Sequence, residues 1–323
     1  MKRLTPLHAS ATILVLVAGA ALAAEPYPTK LVTLVVPFAP GGTTDVFARA
    51  IGQGMARQLG QPVVVENKAG ASGTIGASQV RNAKADGYTI LMGGPADQVN
   101  APFLMAKPPY DPARDFEPIG CVVRTPNVLV ANPKLKVQTP ADVIRLAKME
   151  PGKLTYASAG NGNTSHLLGE LFSQTAGVSL THVPYKGNGP ALTDIIGGQV
   201  DMMFSSPVAV VQHIKSGQLR VIATTSAARL PEMPNVPTLK ESGIDVEIYS
   251  WACLVAPAKT APEVLDKLHD ALNRALEDPA VVKSIETTGG ERFAMSRDAT
   301  KKFLAGERST WGTLIRARNI HAD

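Results

Sequence analysis

The chain has 323 residues, 45% of them hydrophobic and 18% charged, with a formal net charge of +5. That length gives room for two domains with real cores, and the balance excludes a disordered or fibrous chain. The positive excess is spread in single residues, without clusters or interleaved aromatics, so no nucleic-acid partner is expected and only a mild attraction for anionic small molecules follows.

The first element reads as an address label. Met1-Lys2-Arg3 supplies positive charge, Ala11 to Ala18 an apolar run too short to span a bilayer, and Ala21-Leu22-Ala23 a small-x-small cleavage site. Residues 1–23 are therefore expected to be a Sec signal peptide that sends the chain to the periplasm. The polar, helix-breaking Glu25-Pro26-Tyr27-Pro28 that follows argues against a buried or anchoring helix. Removing Lys2 and Arg3 lowers the formal charge from +5 to +3.

Beyond residue 24, short β-rich runs alternate with amphipathic stretches. Strands are expected at 31–36, 63–66, 89–92, 127–131, 154–157, 182–185, 200–205, 219–225, 247–255 and 291–294, with helices at 45–59, 141–149, 165–175, 190–196, 207–215 and 262–276. Asp278-Pro279 closes the last of these helices and starts another. This order predicts an α/β fold with parallel or mixed sheets covered by helices. The proline-rich stretches 107–118 and 229–238 read as surface connections. Two long extended segments, 116–131 and 246–257, fit either ordinary strands of one sheet or a pair crossing between two lobes. Cys121 and Cys253 lie one in each, and either pair in an oxidising compartment or sit reduced in the core.

The most informative stretch is Leu31 to Asp45, a buried strand that turns through proline and glycine into a helix. Its loop is Pro37-Phe38-Ala39-Pro40-Gly41-Gly42-Thr43-Thr44-Asp45. The two glycines let successive amides converge on one oxygen, the threonines add hydroxyl donors, and the helix dipole favours an anion there. Asp45 is better placed to complement the helix dipole than to touch an anion.

A second junction of the same design follows at Ser158-Ala159-Gly160-Asn161-Gly162-Asn163-Thr164-Ser165-His166. It fails the dinucleotide fingerprint, with serine at position 165 and Pro184-Tyr185-Lys186 where an acid belongs. Two further strand ends, at Gly93 and at Ser205, place small residues where α/β proteins bind ligands, and Lys186 can add a cationic wall. His166, His182, His213, His269 and His321 lack metal-ligand spacing, and neither a metal nor a cofactor is expected.

Taken together, YPTKLVTLVVPFAPGGTTDVFAR, LGQPVVVENKAGASGTIGA, ADGYTILMG, YDPARDFEPIG, PGKLTYASAGNGNTSHLLGELF, HVPYKGNGPALTDIIGGQVDMMF, GQLRVIATTSAARLPEMPNVPT and SWACLVAPAKT resemble, in order, the Bug family. These are the extracytoplasmic solute receptors of tripartite tricarboxylate transporters. The resemblance implies a type II periplasmic-binding-protein fold, with lobe 1 at 24–127 and 249–323, lobe 2 at 128–248, and crossing hinge strands between them. It implies a small carboxylate held between two pincer loops, Phe38 to Asp45 and Ser158 to Thr164; the strand ends at Gly93 and Ser205 are expected to contribute to the same cleft.

Ser205 stands where many relatives carry aspartate, which tilts the expected ligand from amino acids toward plain organic acids. The expected partners are that carboxylate and transporter membrane subunits, and the chain is expected to be a monomer rather than an enzyme. The alternatives are a secreted hydrolase-like enzyme using Ser158 or Ser165 with His166, and a binding protein used for sensing.

Overall fold

The computed structural model describes residues 27–185 and 187–321; the signal peptide expected at 1–23 and Lys186 lie outside them. In chain order the first part runs β1 (Val32–Val36), α1 (Thr43–Leu59), β2 (Val63–Asn67), α2 (Thr74–Arg81), β3 (Thr89–Gly93), α3 (Ala101–Leu104), α4 (Pro112–Asp115) and β4 (Phe116–Pro126). The middle part runs β5 (Val128–Ala131), α5 (Pro140–Met149), β6 (Thr155–Ser158), α6 (Thr164–Ala176), β7 (Thr181–Pro184), α7 (Asn188–Gly197), β8 (Met202–Ser205), α8 (Pro207–Lys215) and β9 (Arg220–Thr224). The last part is β10 (Tyr249–Pro257), α9 (Pro262–Ala275), α10 (Pro279–Thr287), β11 (Glu291–Arg292) and α11 (Arg297–Ala317).

Among the described residues these strands form two mixed sheets, ordered β11-β4-β10-β3-β1-β2 and β7-β6-β8-β5-β9. The strand β1 reads as a nearly unbroken apolar run because both of its faces are covered. Leu34 and Val36 pack with Phe47 and Ile51 of α1 and Leu268 and Leu272 of α9. Val35 faces the opposite way, into a core shared with Val80 of α2 and Trp311 and Leu314 of α11. That second core continues into the other sheet through Tyr156, Phe172 and Phe204, so the two α/β lobes share apolar packing.

The extended segment 116–131 is not one strand. It breaks at Asn127, with β4 in the six-stranded sheet and β5 in the five-stranded one. The chain returns at Ile248 into β10, which pairs antiparallel with β4. Thr225 ties both passages together. Its N–H donates to Asn127 O at 2.8 Å and its Oγ accepts the Asn127 N–H at 2.9 Å. Its carbonyl accepts the Ile248 N–H at 3.0 Å, and its hydroxyl donates to Ile248 O at 2.5 Å. Just beyond, Cys121 and Cys253 stand opposite one another in the β4–β10 ladder and are joined as a disulfide.

Three local expectations need correction. Helix α11 was not expected, because its buried Leu304, Trp311, Leu314 and Ile315 are interleaved with charged and small residues. Helix α2 was hidden by glycine: at Gly76 a Cβ would stand 2.9 Å from Pro37 Cα, so close packing demands glycine inside the helix. The stretch 107–118 carries the short α4, with Asp111 capping the Ala113 N–H and Pro112 at its first position, where proline is tolerated. That stretch is not purely surface either, since Tyr110 and Phe116 are buried in it.

Candidate functional site

Helix α1 begins at Thr43, its N-cap Gly42 extended and without a side-chain cap, so its first amides are left open. Residues 39–43 are exposed, and Gly41 sits at φ +82°, a conformation that glycine takes freely. The loop is shaped from behind by Asp45, which is buried. Its Oδ2 accepts the Gly41 N–H and Arg49 Nε, each at 3.0 Å, and its Oδ1 accepts Asn67 Nδ2 at 3.0 Å. Asn67 Nδ2 also donates to Phe38 O at 3.1 Å. Burial works against the Asp45 charge, but the bonds from Arg49, Gly41 and Asn67 prevail and hold the carboxyl below its ordinary range. With Oδ2 engaged by Gly41 and Arg49 and Oδ1 by Asn67 of β2, Asp45 braces the first loop.

The second loop is braced in the same manner. Ser158 is fully buried; its hydroxyl lies 2.6 Å from His182 Nε2 and accepts the Gly160 N–H at 3.1 Å. Asn163 caps α6 by accepting the Ser165 N–H, Ser165 Oγ accepts the Ala159 N–H, and His166 Nδ1 accepts the Gly162 N–H, all at 3.0 Å. The imidazoles of His166 and His182 stack at 3.7 Å, with Tyr156 stacked on His182 at 5.0 Å. Burial lowers the His166 pKa to about 4, so its Nδ1 stays an acceptor near neutrality.

This arrangement separates the serine–histidine candidates for hydrolysis. Ser165 and His166 bond to different loop amides, and Ser158 pairs with His182 inside the wall.

The two loops meet across one cavity. Phe38 of the first and Ala159, Gly160, Asn161, Gly162 and Asn163 of the second line a space of about 130 Å³ with Ser72, Thr74 and Leu104. Gly162 is held against the first lobe: a Cβ there would overlap Leu104 Cδ1, and its carbonyl accepts Asn100 Nδ2 at 3.4 Å. On the other side of the α1 N-terminus, Thr43 and Thr44 line a cavity of about 200 Å³ with Phe47, Thr125, Ser206, Ser250 and Trp251. Thr125 and Ser250 come from the crossing strands β4 and β10.

Ser205 and Gly93 are placed differently from their neighbours. Ser205 is buried at the end of β8 with an unpartnered hydroxyl, while Ser206 lines the cavity. Gly93 lies under Asp97 and Gln98, where a Cβ would stand 2.8 Å from Asp97 Oδ2. Thr164 begins α6 beside the loop. Asn100, Leu104, Thr125 and Ser250 carry no local sequence signal; only the fold brings them to the cleft.

Asp97 is fully buried, accepting the Gly94 N–H at 3.0 Å and Gln98 Nε2 at 2.9 Å, and desolvation pushes its pKa up to about 7. A carboxyl raised above its unfolded value of about 3.9 holds its proton in the folded state. Its contribution is therefore complete at low pH and is lost as pH rises from about 4 to about 7. Asp97→Asn is expected to gain stability relative to wild type across that window, by up to about 1.4 kcal/mol per pH unit, with little difference at pH 4. Urea unfolding of both proteins at pH 4, 6 and 8 checks this; a constant offset contradicts it.

Comparison with known proteins places this geometry. Residues 47–320 match the family model described as tripartite tricarboxylate transporter family receptor. The protein BugT of Bordetella pertussis is 38% identical over 317 residues, covering 97% of each chain. The solved structure of R. palustris Rpa4515 with adipate is 34% identical, with a TM-score of 0.80 over 92% of this chain and 100% of that one. MatC from Rhodopseudomonas palustris with bound malate is 32% identical, with a TM-score of 0.75 over 90% of this chain and 100% of that one. The chain is also similar to the periplasmic binding protein BugD, at 37% identity. The chain belongs to the tripartite tricarboxylate transporter receptor family, with the two-lobed α/β fold of its periplasmic binding proteins.

Proposed function

We propose that this protein is a periplasmic receptor that captures a small organic carboxylate between its lobes and delivers it to the membrane subunits of a tripartite tricarboxylate transporter. The observation that carries the reading is that the first loop fronts two interlobe cavities, Phe38 facing residues 159–163 of the second loop across one and Thr43 and Thr44 facing Ser206 across the other. The first loop ends in the uncapped N-terminus of α1, and the second, its amides at 159, 160, 162 and 165 bonded within the protein, faces it with the N-terminus of α6; helix N-termini suit a carboxylate without any arginine in either loop. The adipate and malate carried by the two related structures support the same ligand class.

In this reading lobe 1 comprises 24–127 and 249–323, lobe 2 comprises 128–248, and the passages at Asn127 and Ile248 are the hinge. Ligand favours the closed arrangement only through its added contacts to the second lobe, so affinity includes the cost of closing. Residues 1–23 direct export, and the mature chain acts as a monomer without cofactor or metal.

A thermal-shift screen of mono-, di-, tri- and aromatic carboxylates tests the class. An acid present at a hundred times its dissociation constant is expected to stabilise the fold by about 2.7 kcal/mol. A panel in which no acid raises the unfolding temperature overturns the reading.

A further inference from the structure

The cavity beneath the first turn of α1 continues past Val208. That residue also lines a neighbouring cavity of about 160 Å³ walled by Pro207, Val211, Leu230 and Met233. On the opposite side Thr288 belongs to the first cavity and Thr287 and Gly289 to the second, so the wall is continuous along the turn after α10.

Polarity changes along this passage. At its head, Thr43, Thr44 and Ser206 present the first turn of α1 and the N-cap of α8. Further on, Phe47, Val208 and Trp251 give an apolar wall, which Val211, Leu230 and Met233 extend. The charged groups lining the far part are Glu232 and Glu286, and the cavity of about 400 Å³ that shares both of them adds Glu291 and Arg292, three acids to one base. Val208 is 41% exposed at the junction, an apolar side chain left open where a ligand's body would pass. A polar anchor opening onto an apolar channel is the usual chemistry of a site for an amphiphilic small molecule. A second carboxylate at the far end would meet an excess of like charge.

We propose that the ligand is a monocarboxylate with an extended aliphatic or aromatic body. Its head lies at the first turn of α1 and its body runs along Phe47, Val208 and Trp251 toward Leu230 and Met233. The inference rests on the receptor reading above, narrows its ligand class and seats the ligand's body in the cavities beyond Thr43 and Thr44, which residues 158–164 do not line.

Titration calorimetry with butanoate, hexanoate, octanoate, benzoate, malate and adipate tests it. Affinity is expected to rise about fourfold per methylene from butanoate to octanoate, the value of about 0.8 kcal/mol per buried methylene, and octanoate is expected to outbind both dicarboxylates. Val208→Asp is expected to lower the octanoate-to-butanoate affinity ratio at least tenfold. Joint replacement Glu232→Gln and Glu286→Gln is expected to raise adipate affinity relative to octanoate several-fold. Binding of malate or adipate without gain along the monocarboxylate series overturns this inference and leaves the receptor reading standing. Ratios unmoved by both sets of substitutions overturn it as well. Absence of binding by every acid overturns both readings.

Discussion

Replacing Cys121 and Cys253 together with alanine is expected to lower the unfolding free energy by roughly 5 kcal/mol, the largest single effect anticipated for this chain. The bond closes a loop with a sequence separation of 132, and in the chain-entropy treatment a closed loop of that size removes about that much freedom from the unfolded chain. It sits in the antiparallel β4–β10 ladder, just inside the passages between the lobes, where both cysteines are fully buried. The double variant leaves buried space where the sulfurs were, which adds to the loss. Neither cysteine lines the cavities at the loops, so carboxylate affinity is expected to stay within twofold of wild type. Guanidinium unfolding of the two proteins under oxidising conditions checks the result. A difference under about 1 kcal/mol would show that the cross-link contributes little beyond local packing.

Gly42→Val is expected to lower carboxylate affinity at least a hundredfold while leaving the fold intact. Gly42 has φ −76° and ψ 166°, an extended conformation that a β-branched residue adopts readily. A Cβ there would stand 3.6 Å from Ala39 O, an ordinary contact. Loss of glycine at the N-cap costs about 1 kcal/mol, whereas the isopropyl group covers the first open amides of α1. Two hydrogen bonds to a charged oxygen are worth about 1.5–3 kcal/mol each, which sets the hundredfold scale. Gly41 is the poorer probe, since valine at φ +82° strains the loop itself. Calorimetry and thermal unfolding of Gly42→Val separate the effects: unchanged affinity with normal stability removes the first loop from the binding site.

The sequence carried the local parts of this design and lost the distant ones. The run from Leu31 to Asp45 and the run from Tyr156 to His166 each announce a strand, a glycine turn and a helix within a dozen or so residues, so both strand-to-helix loops were legible. The inward bracing was not. Asp45 binds Asn67 across a strand and a helix, and Ser158 meets His182 through the β6–β7 pairing. Asn100 reaches Gly162 across the cleft between elements that are neighbours only in three dimensions.

The disulfide illustrates the same limit. The apolar surroundings of Cys121 and Cys253 suit a thiol and a half-cystine equally, and the register of β10 on β4 decides between them. Helix α11 escaped because Lys301, Lys302, Glu307 and Arg308 fill the spaces between its buried positions, masking a stripe that becomes apolar only when packed.

Main-chain recognition of a negative oxygen between the two loops is most directly tested by titrating wild-type protein with the acid that binds best in the panel, and then with its primary amide. The amide keeps the shape and loses the charge. Saturable binding of one acid per chain is expected, with an affinity for the amide at least a hundredfold weaker; equal affinities for acid and amide would contradict recognition of the charge.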